Sequence, residues 1–509
     1  MTHADLTQSR QPGSTAAIVS ALVAIMLYAV TLRGTYIYDD VAIVHEDPRA
    51  LQPRQFYKLW SQPFFASSVD KLYRPLVSSS FAIENYLHGD RPWAFHAVNI
   101  ILHATTSALV ALLAARLAGS LASWISGVLF AVHPVHVEAV AGLVGRAESA
   151  CAIAVLGALL IFLKPGQLNN RRIAGIFGCF LAALFSKEQG ILLPLVLLFA
   201  YLLRGGWNIP AERKQLKSLA AICLVTTAGY LLLRERVASL SFDRQLLDPY
   251  VNPLIKSTSR DRLLMPIVLL GRYTRLLIFP TTLSVDYGGS IIGAVVRPGD
   301  SYLYLGLIAL LVWFVLFIIA WRRKHLELIF CLLSLGISYG MIGNIVSLIG
   351  TIFGDRLMYM PSIFFLLIVS MGLASLHKGV AITLLVLISL AASVRTFTYA
   401  RLWNDPETLY AYTLKIHPES RPVAIGLAQV YLKQNQWDLA RRVAEEISQH
   451  MPDRWEPYQI QMEALEGQRR FEDAIAVADF GISHVPQRDK RYLIEWREGA
   501  QKRLDASRK

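Results

Sequence analysis

Eleven separate apolar runs share this one chain, and water offers no place to put them. They fall at about 16–32, 97–115, 121–138, 149–163, 173–186, 190–203, 218–233, 303–321, 326–349, 358–376 and 380–395. A helix of ~20 apolar residues closes its backbone hydrogen bonds internally and crosses the hydrocarbon of a bilayer. Several runs are shorter, but their flanks extend them. Of the 509 residues 54% are hydrophobic and only 17% charged, too apolar for a soluble chain of this length. The predicted fold class is all-α: a polytopic membrane region of eleven crossing helices over 16–396, then a soluble region over 397–509. A further stretch, Leu263 to Pro280, carries Arg272 and Arg275 inside it. Two mid-span arginines argue against a simple crossing, so it is read as interfacial or re-entrant.

Charge fixes the orientation. The net charge of +13 would suggest nucleic acid in a soluble protein. Here retained cytoplasmic Lys and Arg explain it, and no nucleic-acid partner is expected. With residues 1–15 as a cytoplasmic tail and the first run kept as a span, Arg116, Lys164/Arg171/Arg172 and Arg204/Arg213/Lys214/Lys217 all fall inside. If 263–280 does not cross, Arg322/Arg323/Lys324 and Lys378 fall inside as well, leaving the C-terminus outside. The four cysteines, Cys151, Cys179, Cys223 and Cys331, sit in or beside apolar runs. Their spacing indicates neither a disulfide framework nor a zinc site.

This topology sends five polar segments to the outer face. They are Asp39-Asp40, the stretch His133 to Glu138, Gly145 to Glu148, Ser186 to Gln189, and Gly354 to Arg356. Ionised groups at hydrocarbon depth cost roughly 2.5–3.5 kcal/mol, so such residues are usually paired or functional. Five of these segments on one side is what a shared site requires. The first outer loop, 33–95, holds the acidic pair and aromatics suited to helices lying on the membrane.

After residue 397 the chain repeats. Trp403, Trp437 and Phe471 are 34 apart, as are Pro418, Pro452 and Pro486, and Ala440 and Ala474. That period marks tetratricopeptide helix pairs. Two full repeats are expected, about 419–452 and 453–486, with a half repeat before and a capping helix after.

A carboxylate pair beside several cations, opening onto lipid, fits a polyprenyl-phosphate sugar. The tail partitions into the bilayer, and Arg suits the phosphate by its bidentate geometry. Phosphate leaves readily, so the chemistry needs a base for the acceptor hydroxyl rather than a strong acid. Asp39 or Asp40 supplies that base, and direct displacement inverts the anomeric carbon. Arg74, Arg146, Lys187 and Arg356 are the phosphate candidates. Lys187 with Glu188, Arg146 with Glu148, and Arg356 with Asp355 can equally pair locally. His133, His136 and Glu138 read as a hydrogen-bonded cluster at a span end rather than a metal site, because Pro134 interrupts the helix. The acidic pair could also hold a divalent cation such as Mg or Mn. On an extended segment adjacent carboxylates point opposite ways, which favours one working and one structural aspartate.

Taken together, the motifs resemble the transmembrane and tetratricopeptide-repeat protein O-mannosyltransferases, of the C-type (GT-C) glycosyltransferase superfamily. The resemblance runs in order through Tyr38-Asp39-Asp40, Tyr73-Arg74-Pro75-Leu76, His96 to His103, Leu129 to Gly142, Gly145 to Glu148, Ser186 to Gly190, Leu283 to Tyr287 and Asp355 to Ser362. It implies transfer of mannose from a polyprenyl phosphate to Ser or Thr of exported proteins, with Asp39 and Asp40 as the catalytic motif and the repeats gathering acceptor protein. Tyr287 stands where the family pattern has tryptophan, Asp355 where it often has glutamate, and the repeat array is short. The short array suggests a bacterial relative, with the site and repeats in the periplasm; in a eukaryote the membrane would be the endoplasmic reticulum. Two rivals stay open: a ligase using lipid-linked oligosaccharide, and a non-enzymatic membrane-tethered repeat scaffold.

Overall fold

The computed structural model describes residues 13–65, 72–204, 212–238 and 251–508. Most of the N-terminal tail assigned to the cytoplasm lies outside the described residues, as does 66–71 of the first loop. The described chain is helical at all eleven apolar runs. Helix α1 is Ser14–Tyr28, α2 Pro75–His88, α3 Pro92–Ala118, α4 Ser120–Val132 and α5 Val137–Ala141. Then come α6 Arg146–Phe162, α7 Asn170–Ser186, α8 Leu193–Tyr201, α9 Arg213–Ala238 and α10 Ser259–Ile278. The apolar series closes with α11 Ser301–Arg323, α12 Leu326–Ile342, α13 Tyr359–Ala374 and α14 Lys378–Leu402.

Seven described helical stretches are long and apolar enough to cross a membrane, and the protein is an integral membrane protein. The longest stretch, Pro92–Val132, is two helices. Gly119, at φ 85, turns the chain back, so α3 and α4 run antiparallel. Ser123 Oγ on α4 donates to the Ala111 carbonyl of α3 at 2.8 Å, and α1 completes this bundle through small residues. A Cβ on Gly127 would collide with Ala111 and Ser20, so only glycine lets these backbones approach.

Two predicted runs end early. The run 121–138 stops as a helix at Val132, where His133-Pro134 breaks it into a 3-10 turn and the short α5. Glu138 is thereby placed between spans. The run 326–349 stops at Ile342. The Leu263–Pro280 stretch is an amphipathic helix, α10, outside the set apolar enough to cross. It packs antiparallel on α11, where Gly271 and Gly306 bring the backbones into contact. Its arginines lie against Tyr302: Arg275 donates to the phenol oxygen at 2.8 Å, and Arg272 sits 4.3 Å from the ring centroid.

The chain divides into two compact units. One runs to Leu283 and resumes from Ile292 to Asn404; the other joins Ser284–Ile291 to the chain from Asp405 onward. The second unit holds α15 Pro406–Ile416 and the pairs α16/α17 (Arg421–Lys433, Trp437–His450) and α18/α19 (Glu456–Gly467, Phe471–His484). Helix α20, Lys490–Ser507, follows. The 34-residue alanines are contact points of this solenoid: Ala440 and Ala474 are fully buried, each in a core that joins its own pair to the helix that follows. Within this unit, Ser420 Oγ donates to Asp286 Oδ2 at 2.6 Å.

Candidate active site

The acidic pair follows a backbone contortion. Tyr38 sits at φ 58, a left-handed conformation that costs an L-residue roughly 1–2 kcal/mol. The chain then enters a helical turn, so successive side chains diverge by about 100°. The two aspartates do part company, though through a turn rather than the extended strand expected from sequence.

Asp40 points inward. It is 2% exposed, and its carboxylate accepts the backbone N–H groups of Val144 (2.9 Å), Leu143 (3.1 Å) and Ile37 (3.5 Å). Burial pushes its carboxyl up to about 7, against the pull of those amides. The turn that supplies the amides is held from its other side. Asn99 of α3 donates to the carbonyls of Val140, Gly142 and Leu143 at 3.1–3.2 Å.

Arg146 completes this scaffold. Its Nε donates to Asn99 Oδ1 at 2.9 Å, Nη1 to Ser80 Oγ at 2.9 Å and to Glu84, and Nη2 to Glu84 (3.1 Å) and the Phe95 carbonyl (3.1 Å). All five N–H groups are used, and the guanidinium lies 4.1 Å from the Phe81 ring centroid. A buried, saturated guanidinium has nothing left for a phosphate, so the structure places Arg146 in the framework, paired with Glu84 rather than Glu148.

Asp39 points the other way. Its side chain is 26% exposed and meets Arg356 Nη1 at 3.6 Å. Arg356 is shared: Nη1 also meets Glu138 Oε1 at 3.1 Å, while its backbone N–H donates to Glu138 Oε2 at 2.8 Å. Burial raises the Glu138 carboxyl, with Arg356 pulling it down. The segment carrying Arg356 is braced by Tyr273 of α10, whose hydroxyl accepts from the Gly354 N–H at 3.3 Å and whose ring stacks on Phe353.

Two further pairs join the array. Lys187 is buried against Glu148, and burial together with the Arg74 charge drives its pKa well down. Arg74 clasps Glu188 at 2.8 and 3.3 Å and, with Arg234 of α9, outweighs burial to leave that carboxyl at about 2. Neither lysine nor glutamate pairs with its sequence neighbour. The charges of Asp39, Arg356 and Lys187 all act on Glu138, so Asp39-Asp40, Glu138, Arg146-Glu148, Lys187-Glu188 and Arg356 form one region.

The histidines lie to one side as a hydrogen-bonded cluster. His133 Nε2 donates to the Leu277 carbonyl at 2.9 Å and Nδ1 accepts the Val135 N–H at 3.2 Å. His136 Nδ1 donates to the Phe130 carbonyl at 2.9 Å and its Nε2 faces Ser362 Oγ at 2.8 Å. Burial lowers both, His133 to about 4, so both rings are neutral. Among the described residues no three His, Cys, Asp or Glu side chains converge as a metal site would need.

Sequence reasoning gave no role to Glu84, Ser80 or Asn99. The available signal was the buried polar stripe His96, Asn99 and His103 along one face of apolar α3. Gln189, placed in a polar segment but given no role, is buried, and neither amide atom has a partner among the described residues.

Comparison with known proteins agrees with the motif reading. A tetratricopeptide-repeat family model matches residues 407–468. A protein O-mannosyl-transferase from Caenorhabditis elegans is 25% identical over 83% of this chain and 61% of its own length. Human protein O-mannosyl-transferases TMTC4 (27% identical; 83% of this chain, 65% of that one) and TMTC3 (25%; 82% and 49%) are also similar. The chain thus spans about half to just under two thirds of these relatives. Among solved structures, the crystal structure of ArnT from Cupriavidus metallidurans in the apo state aligns with a TM-score of 0.42 at 14% identity, covering 91% of this chain and 79% of that one.

Proposed function

We propose that this chain is a membrane glycosyltransferase that moves a hexose, mannose first among the choices, from a polyprenyl-phosphate donor to Ser or Thr hydroxyls of exported proteins. The observation that carries the reading is the Asp39–Arg356 pair. Of the two aspartates, only Asp39 is open to a reactant, with its side chain 26% exposed. Of the four cations expected at the phosphate, Arg356 is the most accessible, its side chain 32% exposed against 12% for Arg74, 7% for Lys187 and 2% for Arg146.

Asp39 acts as the general base. It takes the proton of the acceptor hydroxyl as that oxygen attacks the anomeric carbon, and the C–O bond to phosphate breaks on the opposite face, giving inversion. Arg356 binds the phosphate oxygens and stabilises the charge that grows on them as the polyprenyl phosphate leaves. Lys187 and Arg74, each paired with a glutamate, frame the site beside it. Glu138 fixes Arg356, while Asp40 and Arg146 fix the loop that carries Asp39. A divalent cation beside the acidic pair would have Asp39 as its one accessible carboxylate, since the Asp40 oxygens are committed to amides. The site faces the periplasm in a bacterium, and the repeats gather acceptor protein.

The test uses purified protein in lipid with radiolabelled polyprenyl-phosphate mannose and exported proteins of the same cell as acceptors. Label transferred by the wild type and lost in Asp39→Asn at matched folding supports the reading. Equal transfer by both overturns the role of Asp39. No transfer with any lipid-linked sugar favours the scaffold alternative.

A further inference from the structure

Resting on that reading, we propose that the donor's phosphodiester brings a proton with it when it binds, and that Glu138 carries that proton.

Charge at a single guanidinium sets the balance. Arg356 already answers to two carboxylates, Asp39 at 3.6 Å and Glu138 at 3.1 Å. The neighbouring cations are committed: Lys187 to Glu148, Arg74 to Glu188, Arg146 to Glu84. A phosphodiester on Arg356 makes a third negative charge around one positive one. Like charges crowded in a poorly solvated site cannot all stay ionised, and the group with the worst access to water gives way first.

That group is Glu138. It is 4% exposed, whereas Asp39 keeps contact with solvent. The charged and titratable groups that act on Glu138 include Arg356, Asp39, Lys187 and Tyr273. Moving Arg356 toward phosphate removes the strongest of the interactions that keep Glu138 ionised, and burial already favours its neutral form. Neutral Glu138 still accepts the Arg356 backbone N–H through Oε2, so the segment stays in place while the guanidinium turns. The Asp40 oxygens are held by the Val144 and Leu143 N–H groups rather than by Arg356, so turning the guanidinium changes their surroundings less than those of Glu138. The outcome serves catalysis: the proton goes to Glu138, and Asp39 remains a carboxylate able to act as base.

The experiment is calorimetric titration of the full protein in lipid nanodiscs with polyprenyl-phosphate mannose, whose phosphodiester does not titrate near neutrality. Titrations near pH 7 in two buffers of different ionisation enthalpy count protons, and Kd is followed as pH is raised. Wild type is expected to take up about one proton, with affinity weakening up to roughly tenfold per pH unit. Glu138→Gln is expected to bind with no buffer-dependent heat and a flat pH profile. No proton uptake by wild type overturns the proposal, as does equal uptake by Glu138→Gln. Binding that needs added Mg2+ and takes up no proton overturns it too, since a metal then balances the charge. Absence of donor binding, or binding unweakened in Arg356→Ala, would instead defeat the reading of the donor site.

Discussion

Arg146 and Arg356 are both arginines at span ends beside a carboxylate, and the structure gives them opposite characters. Arg146 is fully buried and spends all five N–H groups on Glu84, Asn99, Ser80 and the Phe95 carbonyl. Arg356 keeps a third of its side chain exposed and is contested by Asp39 and Glu138. Saturation makes a guanidinium a fixture. Incomplete satisfaction, with an open side, makes one that can change partner. The same contrast separates Asp40, bound to amides, from Asp39, bound to the contested arginine.

The largest stability effect expected is at the saturated centre. Arg146→Ala leaves Glu84 buried without its partner and is expected to cost roughly 3–5 kcal/mol, read as loss of folded protein on extraction. Arg356→Ala is expected to cost less than Arg146→Ala, because the guanidinium it removes is one-third exposed and Glu138, left without it, can take up a proton, while raising the donor KM. Equal destabilisation by both would erase the distinction. Next comes Asp40→Asn, which puts an NH2 against a backbone N–H and is expected to cost about 1–3 kcal/mol.

Asp40 sharpens the comparison through pH. Its folded carboxyl, at about 7, lies above the unfolded value of about 3.9. The folded state therefore binds the proton more tightly. Its contribution is present at acid pH and is lost as pH rises from about 4 through about 7. Melting temperature is expected to fall across that window in wild type, with this component absent from Asp40→Asn. The smallest effect belongs to the repeat unit: Asp286→Ala removes the bond from Ser420 and is expected to cost about 0.5–1.5 kcal/mol by thermal melting of the full protein.

Much of the fold was legible in the sequence, because bilayer thickness and the 34-residue period act over many residues at once. The eleven runs and the alanines at 440 and 474 are of that kind. The cast of the site was also legible, since ionisable residues at span ends stand out. Their pairing was not. Lys187 passes over Glu188 for Glu148, and Arg146 passes over Glu148 for Glu84. Such choices depend on which helix ends meet, and no local spacing encodes that. The left-handed Tyr38 was hidden for a different reason: a bulky aromatic gives no hint of positive φ. The break after Val132 was legible from Pro134, although the apolar residues beyond it carried the run on to 138.

The division of labour between Asp39 and Asp40 is the centre of the proposed mechanism. Its most direct test is the turnover number for mannose transfer per folded molecule in Asp39→Asn and Asp40→Asn, with each variant's melting temperature taken beside it. The account predicts that Asp39→Asn loses about 10²–10⁴-fold in kcat with melting little changed, while Asp40→Asn melts lower yet keeps most of its turnover per folded molecule. A rate loss confined to Asp40→Asn would contradict it.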